Sequence, residues 1–124
     1  MEQILLHLIG DYITQTHWMA LNKIKSWKAA GIHATVYSLP FLAIGSLTAW
    51  AVIALTHVVI DRFSLAKYLV WAKNRCTPGG CGLEEALSNH GYAAGVPTFI
   101  SFWLYVAADN TVHLCFNYLA LRWL

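Results

Sequence analysis

The sequence predicts an all-α fold: a polytopic membrane helical bundle of about four transmembrane helices. Three observations carry that expectation. Hydrophobic residues make up 58% of the 124 residues and charged residues only 11%, against roughly 45–50% and about 25% in soluble domains, so there is too little charge to cover a water-facing surface. The stretch from Gly31 to Ile60 contains no Asp, Glu, Lys or Arg. The basic residues fall on one side of the layout that this stretch implies. The same composition excludes a disordered chain, which is poor in apolar residues. A collagen or coiled-coil rod would need a G-X-Y or heptad period, and none is present. At 13.9 kDa the chain is expected to form a single membrane domain over residues 1–124.

The first span is placed at about Gln3 to Leu21. Glu2 stands where a secretory signal would be basic, and no A-x-A site follows, so the helix is expected to be retained. Lys23, Lys25 and Lys28 form a basic connector. Gly31 to Ile60 is too long for one span of roughly 20 residues and short for two. Gly45-Ser46 supplies a turn near its middle, which makes a hairpin of about Lys28–Ile44 and Leu47–Lys67. Pro40 is placed to kink the outward leg. One long tilted helix is the rival reading. The fourth span runs from about Pro97 to Leu121, with Pro97 in its first turn. A polar loop from Ala72 to Gly95 joins the third and fourth spans and holds a short helix over Leu83–Asn89.

On this layout Lys23, Lys25, Lys28, Arg62, Lys67, Lys73 and Arg75 share one side, with only Arg122 opposite. The positive-inside rule makes that side cytoplasmic, leaving both termini outside and the polar loop inside. Trp18, Trp27, Tyr68 and Trp71 mark one interface and Trp50 and Trp123 the other. A net charge of +2 with no basic stripe gives no reason to expect nucleic acid. The lipid bilayer is the expected partner.

The acidic residues carry the chemistry. The chain has three Asp, each four residues from a His: His7-x3-Asp11, His57-x3-Asp61 and Asp109-x3-His113. Residues four apart share a helix face, so nitrogen and oxygen ligands can converge on one ion. With six His in the chain, one such match has a chance of about one in ten, and all three on the order of one in a thousand. His33, with Tyr37 one turn on, is expected at the level of His57 across the hairpin. The site then lies between mid-membrane and the cytoplasmic face. An intramembrane Asp is unfavourable by roughly 2.5–3.5 kcal/mol, and metal cations would compensate it. The expected ligands are His7, Asp11, His33, His57, Asp61, Asp109 and His113, with His57, Asp61 and Asp109 nearest the chemistry. Seven ligand groups suit two divalent ions, zinc or manganese by their mixed N/O character.

Gln15, Tyr37 and Asn110 are placed to support these ligands or the substrate. Lys23 and Arg62 sit at the mouth, where a cation would hold a phosphate. His17 is expected at the interface. His90 lies in the loop, within reach of covering the site. Cys76 and Cys81, facing a reducing compartment, are not expected to form a stable disulfide. Cys115 is read as a packing residue.

The segment Leu6-His7-Leu8-Ile9-Gly10-Asp11, then Gln15-Thr16, Trp18-Met19-Ala20 and Asn22-Lys23, resembles the opening of a family of small bacterial and phage integral-membrane proteins of unknown function. His33-Ala34, Tyr37, His57 through Asp61-Arg62 and Asp109 through His113 continue the resemblance. The Cys76–Cys81 loop lies outside it. The motif layout is also similar to inner-membrane metal-dependent hydrolases, and more distantly to zinc phospholipase C and single-strand nucleases. The resemblance implies a bacterial inner-membrane architecture and metal-dependent hydrolysis, but no substrate; it is the expected opening of the site at the cytoplasmic half that suits a phosphoester or lipid-like small molecule. With no nucleophile elbow or P-loop, acyl transfer through serine and ATP hydrolysis lack support. The alternatives are a transporter or channel for divalent metals or protons, which would need a homo-oligomer to build a pore, and a non-enzymatic phage membrane effector.

Overall fold

The computed structural model describes residues Met1–Leu124 and contains helices and no strand. The order is α1 (Glu2–Leu8), a π-helical turn (Ile9–Ile13), α2 (His17–Asn22), α3 (Trp27–Ser38), a 3-10 turn (Leu39–Ala43), α4 (Leu47–Phe63), α5 (Leu65–Arg75), α6 (Leu83–Ser88) and α7 (Thr98–Trp123). The chain divides into two compact units, Met1–Phe63 with His113–Leu124, and Ser64–Val112.

In the first unit the stretch expected to form one span is broken. After α1 the helix widens into the π turn, and it stops at Thr14. Thr16 then opens α2 through a capping box with Met19, its hydroxyl accepting from the Met19 N–H. This satisfies a backbone donor that the helix start would otherwise leave unpaired. Ser26 caps α3 by accepting from the Ala29 N–H.

The hairpin expected across Gly31–Ile60 is present. The rival single long helix is not. The α-helix tightens to 3-10 geometry around Pro40, whose ring removes the N–H that an α-helix would use there. The chain reverses at Gly45-Ser46, and Ser46 Oγ accepts from the Ala49 N–H to start α4. α3 and α4 pack against each other. Tyr37, Phe41, Ile53 and Ala120 form the fully buried core, with Leu6, Val52 and Leu121 packed on it. Burying one such large side chain contributes roughly 1.5–3 kcal/mol.

The second unit pairs α5 with α6. Here α6 (Leu83–Ser88) confirms the short helix expected in the polar loop. Ser64, at φ 49, separates α4 from α5. Gly91 has φ 92, and a Cβ there would lie 2.6 Å from the Lys67 carbonyl oxygen, so only glycine fits. The cysteines are free.

No single helix is long and apolar enough to cross a membrane. α4 and α5 reach that length and composition only when taken together, as a broken pair. The third expected span therefore stops at Phe63 instead of running unbroken to Lys67. The first is interrupted because the π turn and the capping box end its helix.

Candidate metal centre

Polar side chains from most elements of the first unit converge on one buried point. α1 brings His7, the π turn Asp11, α3 His33 and Tyr37, α4 His57 and Asp61, and the C-terminal half of α7 His113 and Asn117. Lys23 reaches in from the α2–α3 turn. All of these except Asp11 and Lys23 are buried.

The separations are close and mutually consistent. His33 Nε2 lies 3.0 Å from His57 Nε2. Asp11 Oδ1 is 3.2 Å from the first and 3.5 Å from the second. Asp61 Oδ2 is 3.2 Å from each. Asp11 and Asp61 thus each close a triangle on the same pair of nitrogens. Ligands held at zinc distances around a tetrahedral ion stand about 3.3–3.4 Å apart, and every edge of both triangles is within a few tenths of that. Asp11 Oδ1 and Asp61 Oδ2 are fully buried yet accept no well-directed hydrogen bond.

Asp61 is the hub. Its Oδ2 is also 2.9 Å from Lys23 Nζ, and its Oδ1 is 3.4 Å from His113 Nε2. Two groupings emerge that could each hold an ion: Asp11, His33 and His57, and His57, Asp61 and His113.

His7 belongs to neither grouping. Its Nδ1 lies 2.8 Å from the Tyr37 hydroxyl and 3.4 Å from Asp11 Oδ2, beside the ligands. Gln15 donates through Nε2 to the Asp11 carbonyl oxygen, not to its carboxylate. Arg62 donates to the Ile24 carbonyl oxygen and stacks over Trp27, which fastens the basic connector to α4. Asp109 and Asn110 lie in the second unit, half-buried on α7. His17 is exposed.

His90, also in the second unit, packs against Phe102 and Tyr105. Its pKa is lowered, first by burial and then by the Lys67 charge.

Asn117 was not anticipated. Its Nδ2 donates to the Tyr37 hydroxyl at 2.6 Å. The signal was available: Asn117 follows His113 by four residues, on the same helix face.

The sequence profile of a family described as "Protein of unknown function (DUF3307)" matches residues 1–78. The chain belongs to the DUF3307 family. The matched region contains His7, Asp11, Lys23, His33, Tyr37, His57 and Asp61, and so both triangles. His113 and Asn117 of this DUF3307 protein lie beyond it, as does the Asp109–His113 part of the resemblance seen in the sequence. No curated protein and no solved structure matches the chain.

Proposed function

We propose that this DUF3307 protein is a membrane-embedded, metal-dependent hydrolase acting on a phosphoester or lipid-like substrate. One observation carries the reading: Asp11 Oδ1 and Asp61 Oδ2 each close a triangle, at tetrahedral-ligand spacing, on the same two imidazole nitrogens. Asp11, His33, His57 and Asp61 would hold the ion, zinc or manganese by donor type. Bound there, such an ion supplies Lewis acidity and makes a water acidic enough to yield hydroxide near neutral pH.

The chain's own groups do the rest. His113, against the outer oxygen of Asp61, is placed to take up or return a proton. Lys23 is partly exposed beside Asp61 and offers an ammonium to an incoming phosphate. Charge favours one ion over the two expected from the sequence. Asp11, Asp61 and Lys23 sum to −1, which one divalent ion turns to +1, suited to an anionic substrate. A second ion would leave +3 in a buried space.

Membrane embedding is supported by large apolar side chains exposed around the first unit, among them Ile4, Leu5, Ile13, Leu21 and Leu55. Broken helices persist at membrane depth where they are buried in protein around a polar site. With the one-sided basic residues, this supports a location in the bacterial inner membrane with both termini outside.

Metal analysis of the detergent-purified chain tests the reading. Close to one tightly held ion per chain, lost in Asp61→Asn and His57→Ala, supports it, and hydrolysis of phosphodiester or phospholipid substrates should follow the same pattern. A wild-type chain purified and reconstituted without any retained ion would overturn it.

A further inference from the structure

Imidazoles that bind a metal are usually oriented by their second nitrogen, whose N–H donates to a carboxylate or carbonyl. His57 does not follow that pattern. Its Nδ1 is buried and has no hydrogen-bond partner, and the same holds for His33. Rotation about the Cβ–Cγ bond of a histidine is broad, so something else must keep His57 Nε2 on target.

The Tyr37 ring stacks on the His57 ring at 3.7 Å between centroids, with 23° between planes. Tyr37 is wholly buried. Its hydroxyl accepts from Asn117 on α7 and meets His7 Nδ1 on α1, and His7 in turn reaches Asp11 Oδ2. The ring edge also lies against the π turn that carries Asp11: a Cβ on Gly10 would fall 2.4 Å from Tyr37 Cδ2. One side chain therefore touches the residue, or the backbone, that sets a member of each triangle. Phe41 provides the contrast within the same core. It is just as buried and packs on Tyr37, but it stacks on none of the histidines.

We infer that Tyr37, tied down by Asn117, is the positioning residue of this centre. Its ring holds the His57 imidazole at its ligand angle, and its hydroxyl holds His7 against Asp11. This deepens the metal reading and rests on it.

The test uses the full-length chain in detergent. Zinc affinity is measured by chelator competition, the site is read by the visible spectrum of the cobalt(II) form, and the metal-free protein by histidine ¹⁵N NMR. Tyr37→Leu should lower zinc affinity about tenfold to a hundredfold, the usual effect of removing a ligand's support, and change the cobalt bands. Phe41→Leu should lower the Tm and leave both metal readouts unchanged. Tyr37→Phe and Asn117→Ala should each shift the His7 ¹⁵N resonances, and the double variant should go no further than either alone.

Unchanged affinity and spectrum in Tyr37→Leu would overturn the inference while the wild type still binds zinc. So would a loss in Phe41→Leu as large as that in Tyr37→Leu. If Tyr37→Leu does not fold, unmoved His7 resonances in both milder variants overturn it. A wild type that binds no zinc sinks the metal reading, and this inference falls with it.

Discussion

Each unit buries a polar cluster, and the two are built on opposite principles. In the second unit Asn89 Nδ2 donates to the carbonyl oxygens of Ala93 and Val96, both at 2.9 Å. Ser101 Oγ donates to Asn89 Oδ1 at 2.6 Å, and His90 Nδ1 is 3.3 Å from the same hydroxyl. Donors meet acceptors, and the network closes the turn between α6 and α7. In the first unit two carboxylates and several imidazoles crowd together beside the Lys23 ammonium. Carboxylate oxygens face imidazole nitrogens, and the two nearest nitrogens face each other. Two carboxylates beside one ammonium leave a net negative charge among the imidazoles, which suits a cation, whereas a satisfied network explains itself as structure.

Substitutions can break this contrast. The largest effect is expected from Asp61→Asn, which removes a charge facing His33, His57, His113 and Lys23 and should abolish metal retention. Asn89→Ala should leave retention intact and cost about 1–3 kcal/mol of stability, read from denaturant melts. Metal loss in Asn89→Ala, or retention in Asp61→Asn, would dissolve the distinction.

Gly10→Ala and Gly91→Ala sharpen it next. Both force a Cβ into occupied space and should each destabilise by roughly 1–3 kcal/mol. Only Gly10→Ala should also weaken zinc, because Gly10 lies beside Asp11 on the turn against Tyr37. Chelator competition on the two variants separates strain at the site from strain elsewhere.

A subtler change is expected at Lys23. The ammonium already neutralises Asp61, so it competes with a cation for the same oxygen. Lys23→Gln should hold zinc as tightly as wild type or several-fold tighter, while phosphoester turnover falls. Weaker zinc binding in this variant would show Lys23 to be part of the ligand scaffold.

The smallest effect concerns acid. His90 has a lowered pKa, so the unfolded chain takes up its proton first as pH falls. Its contribution to stability is present above about pH 6.5, the ordinary histidine value, and is lost on acidification below it. His90→Gln should flatten that part of the stability–pH curve. No change in the curve would mean that His90 senses too little of its surroundings to matter.

Much of the centre was legible in the chain. The i, i+4 spacing named Asp11, His57 and Asp61, and the symmetry of the hairpin about Gly45 put His33 level with His57. Both rest on helix periodicity, which is local. Local periodicity could not show that the first helix breaks. Gly10, on the π turn, lies against the Tyr37 ring, a contact between residues far apart in sequence. The same limit applies to His7, whose spacing suits a ligand but could not show that its Nδ1 meets both the Tyr37 hydroxyl and Asp11. Arg62 looked free to bind phosphate, but it is engaged by the carbonyl of Ile24. Asn117 was passed over because an Asn in an apolar helix reads as packing until its partner is known.

What the sequence alone determined is the inventory: an all-helical chain, poor in charge, with its three aspartates spaced for imidazole partners. That much follows from side-chain chemistry and a 3.6-residue repeat. Only the tertiary structure decided which atoms share a point, which histidine stands beside the ligands, and that an aromatic ring orients a ligand whose second nitrogen has no partner. Those outcomes depend on ångström-scale approach between separate helices, and a one-dimensional pattern carries no distance.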